Sequence, residues 1–108
     1  MSRRLVLRPE AENDIAEAAQ WYEEQRSGLS LEFRSALDQT LFAIESNPDL
    51  YTQVYRDVRR ALLRRFPYGV FYVRRAEEVI VAAILHTSRN PRRWRARFRT
   101  AANLPKAS

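Results

Sequence analysis

RRALLRRFPYGVFYVRRAEEVIVAAILHTSRNPRRW, the stretch from Arg59 to Trp94, holds three short apolar runs fenced by arginines. Ala61 to Leu63, Val70 to Val73 and Val79 to Leu85 are too short for independent helices, and β-branched and aromatic residues are prominent in them, so each reads as a strand. Phe66-Pro67-Tyr68-Gly69 sets a fixed φ and a flexible residue between the first two runs, and Ala76-Glu77-Glu78 is the polar break before the third. Both connections are too short for a parallel crossover, which leaves a three-stranded antiparallel meander. Val79 to Leu85 is apolar at odd and even positions alike. A strand tolerates that only with both faces covered, so this run is expected to be the central one.

Working outward towards the N-terminus, Arg4 to Arg8 alternates around Leu5, Val6 and Leu7 and predicts a short edge strand. Pro9 marks a helix start, with Glu10, Glu12 and Asp14 placed where the helix dipole favours acids. Ala11, Ile15, Ala18 and Tyr22 recur on one face, with Ala19 beside them. Gly28 is expected to close that helix and Ser30 to cap the next, in which Phe33, Leu37, Leu41 and Ile44 repeat until Asn47-Pro48. The two helices form a hairpin laid over the sheet. Asp49 to Asp57 shows no clear period and reads as a connector, with Tyr51 and Tyr55 as packing residues. Beyond the strands, Ser88-Arg89-Asn90-Pro91 turns the chain out. Arg92 to Thr100 then predicts a short basic helix with Trp94 and Phe98 four apart on one face. The expected fold class is α+β in one domain over residues 1–100, with a frayed tail over residues 101–108.

Composition narrows the function classes. With 108 residues the core is modest, and the absence of cysteine excludes a disulfide scaffold and cysteine metal sites. The longest apolar run, Val79 to Leu85, is far short of the ~20 residues that cross a bilayer, and no apolar region follows the basic residues of the N-terminus. A cytoplasmic protein without a membrane partner is expected. Charge is divided unevenly. Residues 1–54 hold 5 Lys+Arg and 10 Asp+Glu, whereas residues 55–108 hold 14 and 3, a net of −5 against +11. All basic residues between Arg56 and Arg99 are arginine, whose planar fork pairs with phosphate or carboxylate at two points. The bland alternative is a solvated face that keeps a small domain in solution.

His86, the lone histidine, follows a buried run with no carboxylate near it in sequence and reads as structural rather than as a catalytic base. Metal binding has no ligand cluster to support it, because Glu77 and Glu78 lie at the opposite strand end. With only Gly28 and Gly69 there is no glycine-rich phosphate cradle.

From residue 3 to about 98 the pattern resembles the ParE/RelE superfamily of toxins from bacterial type II toxin–antitoxin modules. Three segments carry the likeness. Arg64-Arg65-Phe66-Pro67-Tyr68-Gly69-Val70-Phe71-Tyr72 is similar to the family's R-x-F-P-Y-x-h-x-Y hairpin. Leu85-His86-Thr87-Ser88-Arg89-Asn90-Pro91 is similar to its end-of-strand H-x-x-R-x-P, and Pro9-Glu10-Ala11-Glu12-Asn13-Asp14-Ile15 fits its P-x-A-x-x-D-I. The resemblance implies one of two activities: poisoning of DNA gyrase by binding, or cleavage of messenger RNA on the ribosome as a metal-independent endoribonuclease. It would place a nuclease's phosphate-neutralising cations at Arg60, Arg64 and Arg89. Gly69, where the nucleases carry an arginine, and Arg95, where a late acid–base group is common, depart from that pattern. Phe66-Pro67-Tyr68 also sides with the ParE branch, so gyrase poisoning leads. Its expected target-binding residues are Arg64, Arg65, Arg89, Arg92, Arg93 and Trp94. The likeness implies a cognate antitoxin and no cofactor. A non-toxic nucleic-acid-binding domain is the third reading.

Overall fold

The computed structural model describes residues 4–99, so the tail expected over residues 101–108 lies outside the described residues. Strand β1 (Arg4–Leu7) leads into helices α1 (Pro9–Gln25) and α2 (Leu29–Ser46). Strands β2 (Thr52–Tyr55), β3 (Val58–Leu62), β4 (Tyr68–Arg74) and β5 (Glu78–His86) follow, and helix α3 (Pro91–Arg99) comes last. The fold is mixed α+β, with its strands in one sheet of order β1-β5-β4-β3-β2. β1 runs parallel to β5, and the remaining pairs are antiparallel.

The meander therefore has four strands where three were expected. β2 comes from the segment read as a connector: Thr52 and Gln53 pair with Arg60 and Arg59, and Tyr55 faces Val58. As an edge strand it is polar and partly exposed, which erases the alternation that would have announced it. β3 starts at Val58, ahead of the expected Ala61. Its first residues include Arg59, which donates to the carbonyls of Asp49 and Tyr51 and so ties the approach to β2 in place.

The junction of the two helices also differs from expectation. Gly28, at φ +89°, sits at the N-cap of α2, and Ser30 lies inside that helix. The cap comes instead from Glu23 on α1. Its carboxylate accepts the N–H groups of Gly28 and Ser30 at 3.1 and 3.2 Å and the Ser30 hydroxyl at 2.7 Å. These bonds hold the Glu23 carboxyl below its ordinary value, the Ser30 hydroxyl contributing most. A helix N-terminus favours such a negative charge.

The sheet separates two cores. Under α1 and α2, Ala11, Tyr22, Phe33, Leu37 and Ile44 meet Val70, Tyr72, Val79, Val81 and Ile84. On the other face, Trp94 and Phe98 of α3 meet Phe71, Val73, Ile80, Ala82, Ala83 and Leu85. Tyr72, with no exposed surface, keeps its hydroxyl satisfied by donating to the Pro48 carbonyl at 2.6 Å.

β5 is apolar throughout because both its faces are covered, as expected, although β4 holds the middle place in the sheet. Its faces do not simply alternate. Phe71 pairs with Ala83 and Tyr72 with Val81, leaving Ala82 as the extra residue of a β-bulge. The side-chain phase flips there. Val81 packs under the helices, Ala82 and Ala83 both turn towards α3, and Ile84 returns to the helix side.

Candidate functional site

β1 pairs with β5 only from Glu78 to Val81, so the edge of β5 beyond Val81 has no neighbouring strand. Two side chains serve that edge instead. Asp14, buried on α1, accepts the Ile84 N–H at 2.9 Å, while Arg97 of α3 donates to the Ala82 carbonyl at 3.1 Å. The same two residues form a bidentate ion pair at 2.5 and 3.1 Å. Both of these groups on the open edge are thus satisfied, and α3 is fastened to α1 around the sheet edge.

Next to this clasp a groove of about 890 Å³ opens between α1 and the end of β5. Asp14, Glu17, Ala18, Trp21 and Tyr22 form one wall, at the spacing of one helix face. Pro67, Tyr68, Ile84 and Leu85 line it too, along with His86, Ser88, Arg89, Asn90 and Arg93. The Tyr68 hydroxyl is pushed above its ordinary value mainly by burial, with Arg89 pulling the other way. His86 is tied into the loop: its Nδ1 accepts the Ser88 N–H at 3.0 Å, and its ring meets the Tyr68 ring edge-on. The Thr87 N–H donates to the Pro67 carbonyl, so the Phe-Pro-Tyr turn and the loop carrying Arg89 are held at the same end of the sheet.

The opposite face of the sheet is basic in another way. Arg60 lays its aliphatic stem across Gly69; a Cβ on Gly69 would meet that stem at 3.1 Å. The space a side chain at position 69 would take is therefore already used by an arginine from the neighbouring strand. At the far end of this face two guanidinium groups lie over the Tyr55 ring, Arg56 at 5.1 Å and Arg95 at 4.9 Å from its centroid. Trp94 stacks on Phe71 with centroids 4.6 Å apart.

These positions divide the residues expected from sequence. Arg89 and Arg93 converge on the groove. Arg92 is exposed on α3, and Arg64 is exposed in the turn before β4. Arg65 is exposed but bonded to Glu32 of α2 at 2.8 Å. Trp94 requires a correction: its residue is 6% exposed, so its ring packs in the second core and has no surface to offer a target. Of the three suggested nuclease cations, Arg60 lies over Gly69 on the α3 side and Arg89 lines the groove beside α1. Asp14 and Arg97, which hold the site together, were missed. Asp14 had a favourable helix-dipole position as a sufficient explanation, and only its i+4 relation to Ala18 on the buried face signalled more.

Among the described residues no cluster of acids and histidine could hold a metal ion, and no helix is long and apolar enough to cross a membrane. The family model for the ParE toxin of the type II toxin–antitoxin system parDE matches residues 5–91. The chain belongs to the ParE toxin family. Its fold is also found in a chain from a chromosomal ParDE system of P. aeruginosa, with a TM-score of 0.71 and 14% identity. That likeness covers 78% of this ParE-family chain and 95% of the other. No curated protein matches it in sequence. All of the groove's lining residues except Arg93 lie within the region the ParE family model spans.

Proposed function

We propose that this ParE-family toxin arrests growth by binding DNA gyrase in its DNA-bound state, and that Arg89 and Arg93, with Arg64, make the contact. The observation that carries the reading is the arrangement of the cations. Arg89 and Arg93 converge on one half-open groove with the apolar surface of Trp21 and Tyr68, a mixture suited to gripping a protein. A ribonuclease needs several cations around one scissile phosphate and a group that moves a proton. Arg60 lies over Gly69 while Arg89 lines the groove beside α1, and Gly69 brings no side chain to the face Arg60 occupies, which supports the binding reading over the nuclease one.

Such an activity requires a cognate antitoxin. Trp21, Leu31 and Phe42 stand exposed on α1 and α2 and supply apolar surface for a segment that folds as it binds. The test is to induce the chain alone and follow gyrase cleavage complexes together with transcript integrity. Trapped cleavage complexes with intact messages are expected, and Arg89→Ala combined with Arg93→Ala should abolish arrest while antitoxin binding persists. Message cleavage at fixed codon positions without DNA breaks would replace this function with the ribosomal one. Arrest at wild-type strength in the double variant would remove both arginines from the contact.

A further inference from the structure

The arginines fall into two populations. Arg4, Arg26, Arg65, Arg74, Arg75 and Arg97 each have a carboxylate partner, whereas among the described residues no ion pair engages Arg34 on α2, Arg89 and Arg93 at the groove, or Arg56, Arg60, Arg92 and Arg95. Arg60 and the Arg56–Tyr55–Arg95 stack belong to the α3 side of the sheet. Arg92 and Arg95, three apart on α3, are both exposed, and the Arg95 guanidinium lies over the edge of the second core, 5.4 Å from the centroid of the Trp94 ring. Besides these cations the same face carries the exposed Leu62. Its large rings are either buried, as Phe71 and Trp94 are, or covered by guanidinium groups, as Tyr55 is.

We infer that this α3 face binds the phosphate backbone of duplex DNA directly, without reading sequence. A protein partner would need several exposed apolar anchors; this face has the exposed Leu62, in phase with Arg60 on β3, whereas Trp21, Leu31 and Phe42 stand on the helix pair. Single-stranded nucleic acid is gripped by stacking bases on open aromatic rings, and here the rings are closed off. What the face offers is a set of fixed positive charges with two-point donors, the chemistry of backbone contact. Arg95 and Arg56 are also held by cation–π contact with the Tyr55 ring, so less freedom is lost when a phosphate arrives.

In its setting this inference rests on the gyrase reading, because a toxin that acts on DNA-bound gyrase meets a duplex beside the enzyme. The groove would then take the protein and the α3 face the nucleic acid. The experiment needs no gyrase, so the two ideas fail separately. Binding of the purified full chain to a random-sequence duplex is measured over a range of salt concentrations. Each phosphate contact contributes about −0.9 to the slope of log K against log salt, so Arg92→Gln with Arg95→Gln should reduce the slope by about 2. At moderate salt, affinity should fall at least about 10-fold, since each lost contact also forfeits its released counterion.

The charge-matched control, Arg26→Gln with Arg34→Gln on the helix side, should leave both quantities unchanged. Arg92→Lys with Arg95→Lys should restore most of the slope, because charge is kept. No binding by the wild type, an equal loss in the control, or equal or tighter binding of single-stranded RNA or polyglutamate would each overturn the inference. Gyrase poisoning with no duplex binding would leave the proposed function standing and remove the DNA contact alone.

Discussion

Glu23 is fully exposed, yet its carboxylate answers three donors at the start of α2. The bonds form only in the folded chain and favour the charged carboxylate, which is why its pKa is lowered. For an acid whose value falls on folding, the contribution to stability is present above the unfolded value and is lost as pH drops through the lower, folded one. Glu32 behaves in the same direction, through hydrogen bonds from Arg26 and then Arg65. Thermal melts across the acid range should therefore show stability decreasing as these carboxylates take up protons. Glu23→Gln should make that acid limb shallower; an unchanged limb would mean that the cap contributes nothing measurable. Position 69 carries a different lesson at the same scale. The missing arginine in the sequence motif has a neighbour's stem lying in its space, so departure from a motif was legible but its filling by Arg60 was not.

At the scale of elements, the Asp14–Arg97 clasp explains how β5 chooses its pairing. A strand that is apolar on both faces has no hydrophobic penalty for sliding one residue along its neighbour. The Ala82 bulge fixes the choice only because Asp14 takes the Ile84 N–H and Arg97 the Ala82 carbonyl. Asp14→Ala leaves a buried amide and a half-buried guanidinium without their partner, which should cost about 3 kcal/mol. It should also give duplicated amide resonances along β5 in an NMR spectrum. A single set of peaks would show that packing alone specifies the register. Both helices of the hairpin, the three principal strands and the covering of β5 on both faces were legible from apolar spacing and from Pro9, Pro48 and Pro91. The edge strand β2 was not, because its outer side is solvated and its pairing depends on Arg59 and Arg60 of a strand not yet placed. The Ala82 bulge left no trace either, since a bulge within a continuous apolar run changes which face a residue occupies without changing its type.

For the whole molecule, the division of charge along the chain became a division across the sheet. Glu10, Glu12, Glu17, Glu24 and Asp38 are exposed on α1 and α2, while Arg56, Arg92 and Arg95 are exposed on the other side. The asymmetry was visible in the sequence, but its translation into two opposite faces required the topology, with α1 and α2 on one side and α3 on the other. Such a body is its own counterion. The acidic helix pair of one copy complements the arginine face of the next, and because the two surfaces differ, the contact repeats head to tail instead of closing into a pair. The free toxin should therefore form chains of growing length in dilute buffer and disperse as ionic strength rises, a trend that sedimentation velocity would follow directly. Particles of constant size across that series would mean that the overall positive charge outweighs the polarity. If the chains do form, an acidic antitoxin segment lying over the arginine face would act as a terminator, keeping the toxin from polymerising as well as from killing.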